Sequence, residues 1–240
     1  MPKSNKISMS VIRRLPRYYR FISELADNGE QRISSGKLAE LMNVTASQIR
    51  QDFNCFGGFG QQGYGYSISY LKSEMENILG LNKVNNAIIL GAGNLGKAVA
   101  LHINFAERGF NIKGIFETNP NIIGTKINDI EVMSESQVDE FIKNNDISIA
   151  MLCIPRQSVA TIIDRLYSCG IKAYWNFSHF DIARKYSDTV VENVHMTDSL
   201  MTLSYRMNEK LKSEENIYYM FIFWFTSITN LLNYLFHQME

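Results

Sequence analysis

Residues 87–100 read AIILGAGNLGKAVA, and this stretch constrains the fold more than any other. Four apolar residues run into Gly91-Ala92-Gly93-Asn94-Leu95-Gly96, and an alanine-rich segment follows. A G-x-G-x-x-G run is weak alone, but behind a strand and ahead of a helix it specifies one kind of βα turn. Gly91 makes the turn, Gly93 lets backbone approach a pyrophosphate, and Gly96 permits close packing of helix on sheet. The helix start adds free N–H groups and the positive end of the dipole.

The pattern continues downstream. Residues 87–90 predict a first strand, 94–108 a helix, and 112–117 a second strand before an Asn119-Pro120 turn. Residues 130–133 predict a third strand, and 134–144 a helix capped by Ser134. Residues 147–153 read as a buried strand, 157–169 as a helix stopped by Gly170, and 172–176 and 190–194 as the last strands. Apolar strands alternating with helices predict an α/β fold with a parallel, doubly wound Rossmann sheet.

Ligands of such sheets lie beyond the carboxyl ends of the strands. That places Gly91, Ala92, Gly93, Asn94, Leu95 and Gly96 at the pyrophosphate and Glu117 at the adenosine ribose. Ile154 and Pro155 fall where the ligand crosses the sheet, and Asn176 and Phe177 at its nicotinamide end. Glu117 comes somewhat later than the usual ~20 residues. No arginine follows it to take a 2′-phosphate, so NAD+/NADH is expected rather than NADP(H).

The residues ahead of this region differ in kind. In RRLPRYYRFISELADNG, Leu15, Tyr18/Tyr19, Ile22 and Leu25/Ala26 form one helical stripe, opened by Pro16 and stopped by Asn28-Gly29. SSGKLAELMNVTASQIRQDF reads as two short helices about a turn at Met42-Asn43-Val44, the first capped by Ser34 or Ser35. Thr45-Ala46-Ser47-Gln48 fits a capping box. This is a helix-turn-helix layout, with Ser47, Gln48, Arg50 and Gln51 suited to base edges and phosphates; a plain helical bundle with a polar face is the simpler alternative. FGGFGQQGYGY then reads as the wing of a winged helix, and 67–82 as a helix joining the two halves. Arg14, Arg17, Gly57, Gly60 and Gly63 join the candidate DNA contacts.

Charge agrees. Lys/Arg and Asp/Glu are equal at 24 each, but residues 1–66 hold nine against five and the rest fifteen against nineteen. A basic head on an acidic body suits a polyanionic partner. Three cysteines without a CxxC pair exclude a disulfide framework or zinc site, and point to a reducing, cytoplasmic compartment. No apolar run opens the chain, so no secretory signal is expected.

A dehydrogenase needs an acid/base beside the nicotinamide and groups that hold a substrate. Of His102, His179, His195 and His237, only His179 is placed for that work, and it lacks a partner at a recognisable spacing. No catalytic or metal-binding residue is assigned. The alternative reading is an NAD-dependent oxidoreductase whose first eighty or so residues are a helical dimerisation module.

A winged helix followed by an NAD-type Rossmann domain resembles the Rex family of bacterial redox-sensing repressors. The matching motifs are Arg14-Leu15-Pro16 through Arg20, Gln48-Ile49-Arg50-x-Asp52, and Phe56-Gly57-x-Phe59-Gly60-x-x-Gly63-x-Gly65-Tyr66. They continue with the glycine turn, Gly170-Ile171-Lys172, Trp175-Asn176-Phe177 and Leu203-Ser204-Tyr205, so the resemblance spans roughly 5–212. It implies a homodimer that binds a palindromic operator when NAD+ predominates and releases it as NADH rises. It also implies a last helix, about 197–212, that swaps onto the partner. Asp198 then pairs with Arg14 of a DNA-binding head, with Tyr205 in the same switch.

The expected organisation is a winged-helix DNA-binding domain with linker helix (1–82), a Rossmann NAD(H)-binding domain (83–196), a domain-swapped helix (197–213) and an apolar tail (214–240). Gln51 stands where the family often has lysine, Cys55 where it has tyrosine, and Glu117 where aspartate is more frequent. The tail departs most: residues 217–236 carry no charge and are long enough to cross a bilayer. Membrane contact and packing on the dimer are both open from the sequence.

Overall fold

A computed structural model of the chain describes residues 7–61, 64–102, 105–212, 214 and 220. α1 (Met9–Ile12) and α2 (Leu15–Asp27) come first, with Pro16 in the first turn of α2, where a missing N–H is harmless. The expected stripe buries Leu15, Tyr18 and Ile22. After β1 (Arg32–Ile33), Ser34 caps α3 (Ser35–Met42) by accepting from Lys37 N. Asn43 takes φ = 51°, a left-handed conformation that turns the chain sharply. Thr45 caps α4 (Ala46–Asn54) by accepting from Gln48 N, while the Gln48 side chain hydrogen-bonds to Asp52 one turn on.

β2 (Gly60–Gln61) and β3 (Gly65–Ser67) form the wing, and β1 completes an antiparallel sheet of order β1-β3-β2. The wing is tied down by aromatics. Phe53 of α4 meets Tyr18, Phe59 and Tyr66 edge-on at 5.2, 5.5 and 5.2 Å. Gly65 is required: its φ is 68°, and a Cβ there would lie 2.6 Å from the Ile33 carbonyl oxygen. α5 (Ile68–Leu79) ends at Gly80 in the left-handed region. Expected to join the two halves, it packs Ile68, Leu71 and Met75 into the core of the first.

The second half is β4 (Asn85–Leu90), α6 (Asn94–His102), β5 (Phe110–Glu117), β6 (Lys126–Ile127), β7 (Ile130–Ser134), α7 (Val138–Asn144), β8 (Ile149–Leu152), α8 (Arg156–Ser168), β9 (Ala173–Asn176), α9 (Ile182–Lys185) and β10 (Val190–Asn193). Its sheet order is β10-β9-β8-β4-β5-β7-β6. All pairs are parallel except β6–β7. The doubly wound sheet is therefore as expected, with an antiparallel edge that the sequence reading did not mark. β4 lies between β5 and β8, where the winding reverses.

One face of the sheet is buried under α7, α8 and α9, around Ile88, Leu90, Leu152, Ile163 and Tyr174. On the other, α6 covers Ala87, Ile89 and Met151. Over β8, β9 and β10 no described residue completes that cover. What remains is an apolar groove of about 470 Å³ lined by Phe105, Phe110, Ile149, Met151, Trp175 and Val190. α10 (196–212) follows, exposed along its whole length. Met196, Leu200, Leu203, Met207 and Leu211 recur on it at helical spacing, Leu200 being 63% exposed. Gly63 and all of 217–236 but Met220 lie outside the described residues.

Candidate functional site

The glycine turn sits at the switch point, against the end of β8. Gly91 N donates to Phe116 O at 2.8 Å, and Cys153 N donates to Leu90 O at 2.9 Å, closing the corner from both sides. Each glycine has a separate reason. Gly91 has φ = 97°, and a Cβ on it would lie 2.7 Å from Cys153 O and from Ile154 Cγ2. A Cβ on Gly96 would lie 1.8 Å from Gly91 O, so only hydrogen lets α6 descend onto the turn. Gly93 has nothing within 4 Å of its Cβ position and faces open space. Two glycines serve the fold, and the third leaves room for a ligand.

α6 starts at that opening with no acidic residue in its first turn, so its free N–H groups suit an anion. Asn94 is exposed and Leu95 half-buried at its first positions, and Pro155 is exposed across the crevice. Glu117, at the end of β5, accepts from Ala92 N at 2.8 Å, Thr118 N at 2.7 Å and Asn119 N at 3.1 Å. It thus pins the glycine turn to the neighbouring strand. Burial opposes its charge, but these N–H groups outweigh burial and hold the carboxyl below the ordinary glutamate value.

The sign of the consequence follows. A depressed folded-state pKa contributes stability that is complete above the ordinary value of 4.5 and is lost as pH falls through the folded value. Thermal midpoints should fall below about pH 4.5. In Glu117→Gln the midpoint should be lower at pH 7 and the acid loss smaller; an unchanged acid limb would remove Glu117 from this role.

At the other end of the crevice the structure redirects one expectation. Asn176 was placed at the nicotinamide, yet it is fully buried with its hydrogen-bonding capacity filled. Its amide donates to Phe180 O at 2.9 Å and Asn193 Oδ1 at 2.7 Å, while its oxygen accepts from Ser178 N and Ser178 Oγ. It shapes the loop after β9. Phe177 remains half-buried and packs edge-on against Trp175 at 4.7 Å. His179 is exposed with φ = 59°, and its ring stacks on His195 at 4.2 Å. Burial pushes the Cys153 thiol up to about 12, so it carries no thiolate beside the turn.

In the first half, Ser47, Arg50 and Gln51 are exposed on α4 and Gln48 is half-buried, as a recognition helix requires. Arg50 donates to Ser35 Oγ at 3.0 Å, which aims the side chain along the α3–α4 face. Arg14 is half-buried and Arg17 exposed, and both are engaged by the protein itself. Arg14 forms a forked pair with Asp52 at 2.7 Å through both Nε and Nη2, and Arg17 donates to Met42 O at 2.6 Å. Gly57 (φ = 103°) turns the chain out of α4, and Gly60 packs beneath the Tyr66 ring, which a Cβ would strike at 2.7 Å. Asp198 sits 3.3 Å from His195 Nδ1, and Tyr205 is exposed on α10. Within one chain, then, Arg14 pairs with Asp52 and not with Asp198.

The sequence reading missed Asp52 and the apolar groove. Asp52 was visible as an acidic residue inside a helix meant for DNA, a misfit that signals a buried partner.

Known proteins match both halves together. The Redox-sensing transcriptional repressor Rex of Caldanaerobacter subterraneus subsp. tengcongensis is 55% identical over 219 residues, covering 89% of this chain and 97% of its own length. That of Clostridioides difficile (strain 630) is 50% identical over 206 residues, covering 86% and 98%. The chain belongs to the Rex family. A family model described as "Putative DNA-binding protein N-terminus" matches residues 6–54, and one described as "CoA binding domain" matches 82–180. The crystal structure of the Rex-family protein RSP in complex with beta-NAD+ and operator DNA is 51% identical, with a TM-score of 0.79 over 88% of this chain and 97% of that one. RSP in complex with beta-NADH is 50% identical, with a TM-score of 0.79 over 88% and 99%. The winged helix and Rossmann sheet described above are thus shared with Rex-family repressors.

Proposed function

We propose that this chain is a transcriptional repressor that binds a palindromic operator when NAD+ predominates and leaves it as NADH rises. The observation that carries the reading is the joining, in one Rex-family chain, of an exposed recognition helix to a glycine crevice built for a dinucleotide. NAD+ and NADH differ by one hydride, so the nicotinamide end must read ring charge and planarity. Gly93, the α6 N-terminus and Glu117 hold the part the two forms share; Phe177 and the loop shaped by Asn176 lie where they differ. Each ~1.4 kcal/mol of differential binding between two dimer states changes operator affinity tenfold, and the operator must weaken NADH binding by the same factor.

The groove and the α10 stripe, both left uncovered among the described residues, support a homodimer. A doubly wound sheet needs both faces covered. α10 of a second copy supplies apolar surface of the kind the groove over β8, β9 and β10 requires. The same reading divides the chain at 82 and 196, with α10 as the swapped helix, and leaves Arg14 and the partner's Asp198 to meet only between copies. Among the described residues no helix is long and apolar enough to cross a membrane.

Filter binding to operator fragments across salt concentrations tests the reading. Binding should fall steeply with salt, as phosphate contacts dictate, and be relieved by NADH but not by NADPH or coenzyme A. Relief by coenzyme A instead would turn the crevice over to that ligand. Arg50→Ala should cost roughly 1–3 kcal/mol per half-site while NADH binding is unchanged. If no fragment is retained at low salt with NAD+, the repressor reading fails.

A further inference from the structure

Apolar packing alone leaves a helix free to rotate or slide, because the hydrophobic effect has no direction. α4 buries Ile49 and Phe53 in this undirected way, yet DNA recognition needs its exposed side chains held to a fixed angle. The same helix buries Asp52, whose side chain is 3% exposed. An acidic residue in the last turn of a helix is opposed by the dipole, and burying it is costly unless it is paired. In a helix read as meeting phosphates, a negative charge is unfavourable again.

The pairing is directional. Asp52 accepts from Arg14 Nε and Nη2, each at 2.7 Å, and from Tyr18 OH at 2.7 Å. Arg14 is the N-cap of α2 and Tyr18 lies in its first turns, and a forked guanidinium–carboxylate pair fixes orientation as well as distance. Three residues after Arg14, on the same side of α2, Arg17 donates to the carbonyl of Met42, the last residue of α3. One helix therefore grips both members of the helix-turn-helix. Burial works against the Asp52 charge, but Arg14 and Tyr18 more than offset it and hold the carboxyl below its ordinary value.

We propose that Asp52, Arg14 and Arg17 are positioning residues that set the angle of α4 against α3, and that the two arginines act on operator affinity through these contacts to Asp52 and Met42 and not as phosphate contacts. The proposal rests on the reading of α4 as the DNA-binding helix.

Two opposed signs make it testable. By plain electrostatics, Asp52→Asn takes a negative charge out of a DNA-binding unit and should tighten binding. As a positioning residue, its loss should weaken operator binding roughly tenfold, with NADH affinity and dimer state as in the unaltered protein. Arg14→Met leaves Asp52 buried without its fork and should bind more weakly than Asp52→Asn. The double variant should recover part of that loss, whereas a phosphate contact would give additive losses. Arg17→Lys keeps the charge and removes the guanidinium that reaches the Met42 carbonyl. It should weaken binding severalfold if Arg17 holds Met42, and change nothing if charge alone matters, so it decides the matter even if Asp52→Asn does not fold. Operator binding by Asp52→Asn equal to or tighter than that of the unaltered protein overturns the proposal. Failure of the unaltered protein to bind operator overturns instead the reading beneath it.

Discussion

Gly96→Val should collapse the corner between β4 and α6, whereas Gly93→Val should leave the fold standing and remove NADH binding. The two glycines are three residues apart in one motif, yet their surroundings differ. A Cβ at 96 would lie 1.8 Å from Gly91 O and 2.9 Å from Gly91 C, both backbone atoms that cannot move aside without shifting α6. Overpacking of this kind costs about 1–3 kcal/mol or more, a fall of several degrees in thermal midpoint. At 93 nothing lies within 4 Å of the Cβ position. Gly93 O does accept from Lys97 N at 2.9 Å as α6 begins, so valine there loses about 1 kcal/mol of helix-start preference and no more. A pyrophosphate lying on that backbone would be pushed off by the two methyls. Losing two charge-assisted hydrogen bonds of ~1.5 kcal/mol each weakens binding on the order of a hundredfold. Calorimetric titration with NADH beside thermal unfolding separates the two variants. If Gly93→Val binds NADH normally, the pyrophosphate lies elsewhere.

That contrast marks how far the sequence could be read. The motif located the turn because its geometry is local, set by a few consecutive residues. The surroundings then separate the glycines, with position 93 facing space and position 96 packed on backbone. The antiparallel edge was also written locally. Asn128 and Asp129 join Ile127 to Ile130 with φ of 49° and 64°, a two-residue hairpin turn of the kind those residues favour. It escaped notice because β6 is only two residues long.

What stayed hidden depends on residues distant in sequence. Arg14 and Asp52 are 38 positions apart; Arg14 reads by type as a DNA contact, and nothing local marks Asp52 as its partner. Only the fold brings the half-buried arginine onto the buried carboxylate. Asn176 was placed by the rule that ligands lie beyond strand ends. That rule locates a backbone and is silent on where a side chain turns. The loop after β9 needs the whole hydrogen-bonding capacity of that amide, so the side chain faces inward.

The groove over β8, β9 and β10 was hidden for another reason, since what covers it is expected to be a second molecule. In the single chain Leu200 is 63% and Leu203 60% exposed, so aspartate at both positions costs an isolated subunit little beyond helix propensity, about 1 kcal/mol in all. In a dimer that buries this stripe against the groove of Ile149, Met151 and Trp175, the same two carboxylates would be desolvated without partners, which the interface cannot sustain. The Leu200→Asp/Leu203→Asp protein should therefore elute as a monomer with an unfolding midpoint near that of the unaltered protein at the same low concentration. A palindrome is held by two linked heads, and linkage of this kind raises affinity by factors of 10²–10⁴. The monomer should lose most of that on the full operator while losing little on a single half-site. The ratio of the two affinities carries the argument, because misfolding would lower both together. A dimer that survives the double substitution would mean that α10 is not what covers the groove.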